Sequence, residues 1–158
     1  MPVGFKHISA KMSETDAVIG GESSGGLTVR GHISGKDGIY AAALLAEMLA
    51  VTGKSLSALY REITEQYGDP VYREADFRMT PERKSQLQEL LFKKELLPPL
   101  EGVDRVSRED GVKLYFNDGS WVICRFSGTE PLLRMAAEAE SEELAEAWIA
   151  AWRELLEL

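Results

Sequence analysis

The 158 residues carry 18 Lys and Arg against 26 Asp and Glu, a formal net charge of -8 that argues against a nucleic-acid partner, since phosphate backbones reward clustered cations. Apolar residues make up 44% of the chain and recur with recognisable periodicity, enough for one or two packed cores and unlike a disordered segment. A single cysteine rules out an internal disulfide, the chain opens without a charged-then-apolar leader, and its longest apolar run, Ile39 to Val51, is interrupted by Glu47 and too short to cross a bilayer, so a cytoplasmic location without membrane contact is expected.

In chain order, Ala17-Val18-Ile19 and Leu27-Thr28-Val29 read as short strands around Gly20-Gly21-Glu22-Ser23-Ser24-Gly25-Gly26. Glu22 and Ser24 then sit in a turn between rigid elements, a usual place for a binding group. Asp37 can cap a helix over Ile39 to Val51 and Gly53 can end it. Ala41, Ala42, Ala43 and Ala46 would let that helix pack closely on a sheet, so it is expected to be a buried helix of an α/β unit. A second helix is predicted from Ser55 to Tyr67, with Leu56, Leu59, Ile63 and Tyr67 on one face and Gly68-Asp69-Pro70 stopping it. The organisation changes after Pro70, which divides the chain into residues 1–70 and 71–158.

In the second part, Thr80-Pro81 starts a helix with a capping hydroxyl and a proline at the first helical position, and a stripe of Leu87, Leu90 and Leu91 runs on towards Pro98-Pro99. Val103 to Ser107, Val112 to Phe116, Trp121 to Phe126 and Leu132 to Ala139 supply four short strands. Asn117-Asp118-Gly119 tolerates the left-handed conformations of a tight turn and joins the middle two as a hairpin. Ser141 opens a last helix whose Leu144, Trp148, Ala151, Trp152 and Leu155 share one face, which assigns both tryptophans to the core. Cys124, within an alternating strand, reads as a small buried thiol. The sum is an α+β domain with a four-stranded, mainly antiparallel sheet and helices on one face.

The segment Arg125-Phe126-Ser127-Gly128-Thr129-Glu130-Pro131-Leu132-Leu133-Arg134 begins at a strand end and collects what holds a phosphate. Two arginines offer planar, permanently charged donor forks, Ser127 and Thr129 add hydroxyls, and Gly128 lets backbone amides approach an anion. The competing reading is a surface turn whose arginines pair with nearby acids. Glu22 and Ser24 suit a vicinal diol, because one carboxylate can accept hydrogen bonds from two neighbouring sugar hydroxyls. By itself that loop is equally a mobile glycine-flanked turn.

Together the two loops resemble the signature loops of the phosphohexomutases, the phosphoglucomutase and phosphomannomutase family, in family order. Val3-Gly4-Phe5-Lys6 is similar to a further family segment, as is Arg30-Gly31-His32-Ile33 followed by Lys36-Asp37-Gly38. The resemblance covers most of the chain. It implies sugar binding by Glu22 and Ser24, with Lys6 and His32 as further contacts, and phosphate binding by Arg125, Ser127, Gly128, Thr129, Glu130 and Arg134. It implies the end of an α/β third domain followed by a fourth domain with a fold likened to that of the TATA-binding protein.

The family's phosphorylated serine, in a Ser-His-Asn segment, and its magnesium loop, Asp-x-Asp-x-Asp, do not occur in this sequence. The resemblance therefore implies a carboxy-terminal portion that begins inside the third domain, is inactive alone, and works with the amino-terminal domains of its parent. No catalytic residue and no metal ligand are expected in it, and Mg²⁺ is expected only in the parent. The implied reaction is a phosphoryl shuttle between hexose 1-phosphate and hexose 6-phosphate through a bisphosphorylated sugar. Two alternatives stay open: a stand-alone, non-catalytic module binding sugar phosphates or anions, and a portion of a phosphoglucosamine mutase. Relatives of the latter kind tend to carry histidine after the Gly-Glu-x-Ser-Gly core, where this chain has Gly26.

Overall fold

A computed structural model of the chain describes residues 2–128 and 130–158, which divide between Gly68 and Asp69 into two compact units. The first unit opens with a helix that has no counterpart among the sequence expectations, α1 (Phe5–Thr15). Phe5, Ile8 and Met12 do recur at helical spacing, but Gly4 at its start offers no side-chain cap, so the usual start signal is missing. The helix lies on an antiparallel ribbon of β1 (Ile19–Gly21) and β2 (Leu27–Val29), in which Gly20 faces Thr28. A Cβ at Gly20 would lie 2.4 Å from Met12 Sδ and 2.6 Å from Ile8 Cγ2, so only glycine lets α1 approach this closely. The ribbon's buried hydroxyl, on Thr28, donates to the Ile33 carbonyl at 2.7 Å.

The next two helices form where the capping residues place them. Asp37 Oδ1 accepts from the amides of Ile39 and Tyr40, each at 3.0 Å, and α2 (Gly38–Thr52) ends at Gly53 with φ 64°. Ser55 caps α3 (Leu56–Tyr67) by accepting from Ala58 N at 3.3 Å. The expected burial of α2 is corrected: none of its residues is buried, and Ile39 and Val51 are 87% and 79% exposed. The physical reason is the size of the ribbon, whose two three-residue strands cannot cover a fifteen-residue apolar helix. Among the described residues no single helix is long and apolar enough to cross a membrane.

The second unit is a sheet of five antiparallel strands in the order β3-β7-β6-β5-β4. The four expected strands are β4 (Val103–Ser107), β5 (Val112–Phe116), β6 (Trp121–Phe126) and β7 (Leu132–Ala139). The fifth, β3 (Val71–Arg78), forms an edge beside β7. Its Val71, Ala75 and Phe77 alternate towards the core, but Arg73 interrupts the row, and charged edge strands give a weak alternation signal.

One face of this sheet carries α4 (Pro81–Gln88), capped by Thr80 and continued by a π-helical turn over Glu89–Lys93, and α5 (Glu142–Leu155). Leu87 and Leu91 from the first and Trp148, Ile149 and Trp152 from the second bury against Val112, Leu114, Val122, Cys124, Leu133 and Met135. Both tryptophans are core residues, and Trp148 stacks on Phe116 at 3.9 Å. The α+β layer with helices on one face is thus as expected, with one strand more.

On the opposite face of the sheet, the rings of Tyr115 and Trp121 lie beside cations. Lys113 Nζ lies 3.6 Å from the Trp121 ring centre, and the Arg105 guanidinium lies 3.7 Å from that of Tyr115. Trp121 Nε1 donates to Glu138 Oε1 at 3.2 Å across the strands. Burial of its stem along these rings pulls the Lys113 pKa below the usual lysine value.

Cys124 is fully buried beneath α5, and that burial pushes its thiol pKa up to about 12. The thiolate is the nucleophile, so Cys124 should resist a thiol reagent at pH 8 in the folded chain and react only as fast as the second unit opens. The sign of the linkage follows from the raised folded pKa. From about pH 8.5 upward the unfolded thiol ionises while the folded one does not, so stability is full below that pH and falls as pH rises towards 12. Rapid stoichiometric labelling of native protein would contradict the buried placement.

Candidate functional site

The loop between β6 and β7 is built by its own hydrogen bonds. Ser127 N donates to Leu132 O at 2.9 Å, Leu132 N donates to Glu130 O at 2.8 Å, and Ser127 Oγ accepts from Glu130 N at 3.2 Å. Met79 N, just past β3, donates to Pro131 O at 3.0 Å and ties the loop's far end to the edge strand. Ser127 is buried at the root of the loop, so its side chain shapes the turn, while Gly128 and Glu130 are exposed at its tip. Thr129, expected among the phosphate contacts, lies outside the described residues.

Arg125 near the end of β6 and Arg134 on β7 are directly opposed in the antiparallel register. Opposed residues project from the same face, here the open face that also carries Trp121 and Glu138. Two like charges set directly across strands repel each other unless acids beside them offset the repulsion. Each arginine has an acid on its outer side: Asp110 Oδ2 lies 3.8 Å from Arg125 Nε, and Asp76 Oδ1 lies 3.9 Å from Arg134 Nε. Both distances exceed a hydrogen bond, and the row across the sheet reads acid, base, base, acid. Two arginines opposed in register bring guanidinium forks of the kind that suit a doubly charged oxyanion, although acids stand beside both.

Glu130, also expected among the phosphate contacts, accepts from Arg134 Nη2 at 3.0 Å. A carboxylate repels phosphate, and its oxygen stands where an anion's oxygen would take the same donor. The surface-turn reading thus describes part of this arrangement, but it does not account for two opposed cations.

Two residues of this region carry no motif signal. Gly111, at φ 92°, is packed so tightly that a Cβ there would lie 2.4 Å from Cys124 O and 2.9 Å from Arg125 Cα. It lets the turn bearing Asp110 lie flat on the backbone of Arg125. Lys84 on α4 places Nζ 3.5 Å from the Ser127 carbonyl. A Gly after Asp hints at a turn, but its packing partner, like that of Lys84, is set by strand and helix positions far along the chain.

In the first unit, Glu22 N donates to Gly26 O at 2.8 Å and Gly25 N to Glu22 O at 2.9 Å, which closes the tight turn between β1 and β2. Gly25 at φ 88° supplies the left-handed residue this turn needs. The Glu22 carboxylate, 17% exposed, is held by Lys36 Nζ at 2.9 Å, and the Lys36 stem fills the space over Gly26, where a Cβ would lie 2.2 Å from its Cδ. Ser24 stands exposed at the tip of the turn and Lys6 is exposed on α1.

His32 Nε2 lies 3.0 Å from Asp37 Oδ2 and its ring stacks on Tyr40 at 4.0 Å, which engages it in the cap of α2. Amide donation from Tyr40, then the bond to His32, holds the Asp37 carboxyl below its usual pKa. Among the described residues no group of three or more His, Cys, Asp or Glu could hold a metal ion.

Both units have counterparts among known proteins. The model for the phosphoglucomutase/phosphomannomutase alpha/beta/alpha domain III matches residues 1–67, and that for the phosphoglucomutase/phosphomannomutase C-terminal domain matches residues 74–155. A phosphoglucomutase/phosphomannomutase from Thermococcus kodakarensis is 33% identical over 98% of this chain and 32% of its own length. A phosphoglucosamine mutase from Rippkaea orientalis is 31% identical over 93% of this chain and 27% of its own. A solved structure from Thermus thermophilus, described as a phosphomannomutase, superposes with a TM-score of 0.70 at 31% identity, covering 100% of this chain and 31% of that one. The chain thus spans about a third of the length of the relatives it matches.

Proposed function

The chain belongs to the phosphoglucomutase/phosphomannomutase family, and on that premise we propose that it supplies the sugar-binding and phosphate-binding loops of a cytoplasmic enzyme interconverting hexose 1-phosphate and hexose 6-phosphate. The observation that carries this reading is the opposed pair Arg125 and Arg134 beside the loop from Ser127 to Pro131. Such a pair neutralises a dianion with charge-assisted hydrogen bonds. In an exchange through a bisphosphorylated sugar, one phosphate must be gripped while the other reacts, and the same grip must accept either end of the sugar. The arginine pair suits the non-reacting phosphate, since it positions and neutralises without itself transferring a group.

Glu22 and Ser24 are proposed to meet the sugar hydroxyls. Lys36 would hold the Glu22 carboxylate in place while its remaining lone pairs accept from a diol. Lys6 is kept as a further sugar contact, and His32 contributes through the cap of α2 and its contact with Asp37. The transferring serine and Mg²⁺ are assigned to other domains of the parent enzyme, so this chain alone should bind hexose phosphate and not turn it over. The exposed apolar residues of α2 and α3 support packing against further protein of that parent.

Titration of the chain with inorganic phosphate and with glucose 1-phosphate, followed by the amide signals of Ser127 and Gly128, tests the reading. Binding in about the millimolar range is expected, because the site is open to water and its charges are screened. Silent loop amides at saturating ligand would remove the proposal. A second reading, phosphoglucosamine mutase activity, is favoured by the similarity to the Rippkaea protein, while Gly26 in place of histidine favours a glucose-type substrate. Relative turnover of glucose, mannose and glucosamine 1-phosphates by the complete enzyme decides between them.

A further inference from the structure

We infer that Lys84 is a positioning residue of the phosphate loop, acting through the peptide unit that joins Ser127 to Gly128; this rests on the phosphate-binding reading above. Lys84 occupies the first turns of α4, where its amide donates to Thr80 O at 3.0 Å, so the Thr80-Pro81 start fixes its place. Its ammonium lies 3.5 Å from the Ser127 carbonyl oxygen and 5.8 Å from the centre of the Phe126 ring. Phe126 packs against the core, on the helix-bearing face, whereas Arg125 before it projects from the open face. The loop root is therefore held by a lysine from one side of the sheet and faced by arginines from the other.

Peptide geometry turns that placement into a consequence for binding. The described chain has no cis peptide bonds, and in a planar trans peptide the carbonyl and the following N–H point in opposite directions. Lys84 draws the Ser127 carbonyl towards α4, so the Gly128 N–H of the same peptide is turned away from α4, towards the side of the arginines. A cation on the carbonyl also polarises the amide and makes that N–H a stronger donor to an anion. Gly128 carries no side chain to obstruct the approach, and a Cβ there would meet nothing within 4 Å.

The test compares Lys84→Met, Lys84→Gln and Lys84→Arg in the whole chain, with inorganic phosphate as the probe and Arg125→Ala as the reference. Both neutral variants should weaken phosphate binding about three- to tenfold, as for loss of one partly screened charge contact, and shift the Gly128 amide signal before any ligand is added. Lys84→Arg should restore affinity to within about twofold, which a role in mere packing would not produce. Wild-type affinity in either folded neutral variant, with Arg125→Ala still weakened, overturns the inference and leaves the phosphate site standing. Wild-type affinity in all variants, Arg125→Ala included, removes both.

Discussion

Arg125→Ala should weaken binding of phosphate and of glucose 1-phosphate about tenfold to a hundredfold, while leaving the second unit as stable as before or slightly more so. The loss corresponds to one or more charge-assisted hydrogen bonds of roughly 1.5 to 3 kcal/mol each. The unchanged or improved stability follows from the register: Arg125 opposes Arg134 across the strands, and removing one of two like charges relieves a repulsion. Its acid neighbour Asp110 lies 3.8 Å away, beyond hydrogen-bond distance. Amide-shift titration and thermal unfolding read the two effects separately. A residue kept for ligand binding at some expense to folding shows this divergence, whereas a structural arginine would lose stability and binding together. Wild-type binding by a folded Arg125→Ala chain would sink the site.

Gly111→Ala should cost about 2 to 4 kcal/mol of folding stability, combining a left-handed backbone with an overpacked contact. Gly119→Ala provides the control. The two glycines have nearly the same conformation, φ 92° and 90°, but a Cβ at Gly119 would meet nothing within 4 Å, whereas one at Gly111 would lie 2.4 Å from Cys124 O. Gly119→Ala should therefore cost only the backbone part, about 1 to 2 kcal/mol. Urea denaturation measures both, and equal losses would show that conformation alone decides. Because the obstructing atoms include Arg125 Cα and Cβ, Gly111→Ala should also lower phosphate affinity, which Gly119→Ala should not.

Much of the local structure could be read from residues acting on their immediate neighbours. Asp37, Ser55, Thr80 and Ser141 each accept a hydrogen bond from an amide two or three residues on and start a helix there. Gly119 closes the β5–β6 hairpin, and the leucines and tryptophans of α4 and α5 share a face and bury it. Both signature loops are visible as residue types gathered in a short span, and the family follows from them. Strand β3 and helix α1 were less legible because one is a charged edge and the other starts without a cap.

By itself, then, the sequence determined where helices start and stop, which residues are apolar on one side, and which family the two loop motifs resemble. Only the tertiary structure decided that Arg125 and Arg134 stand opposite each other, that Gly111 lies against the arginine backbone, that Lys84 reaches the loop from α4, and that α2 remains uncovered within its unit. Capping and turn formation are energies between residues a few positions apart, so composition and spacing express them. Strand register and helix placement depend on contacts across the whole fold, and no short stretch of sequence contains both partners.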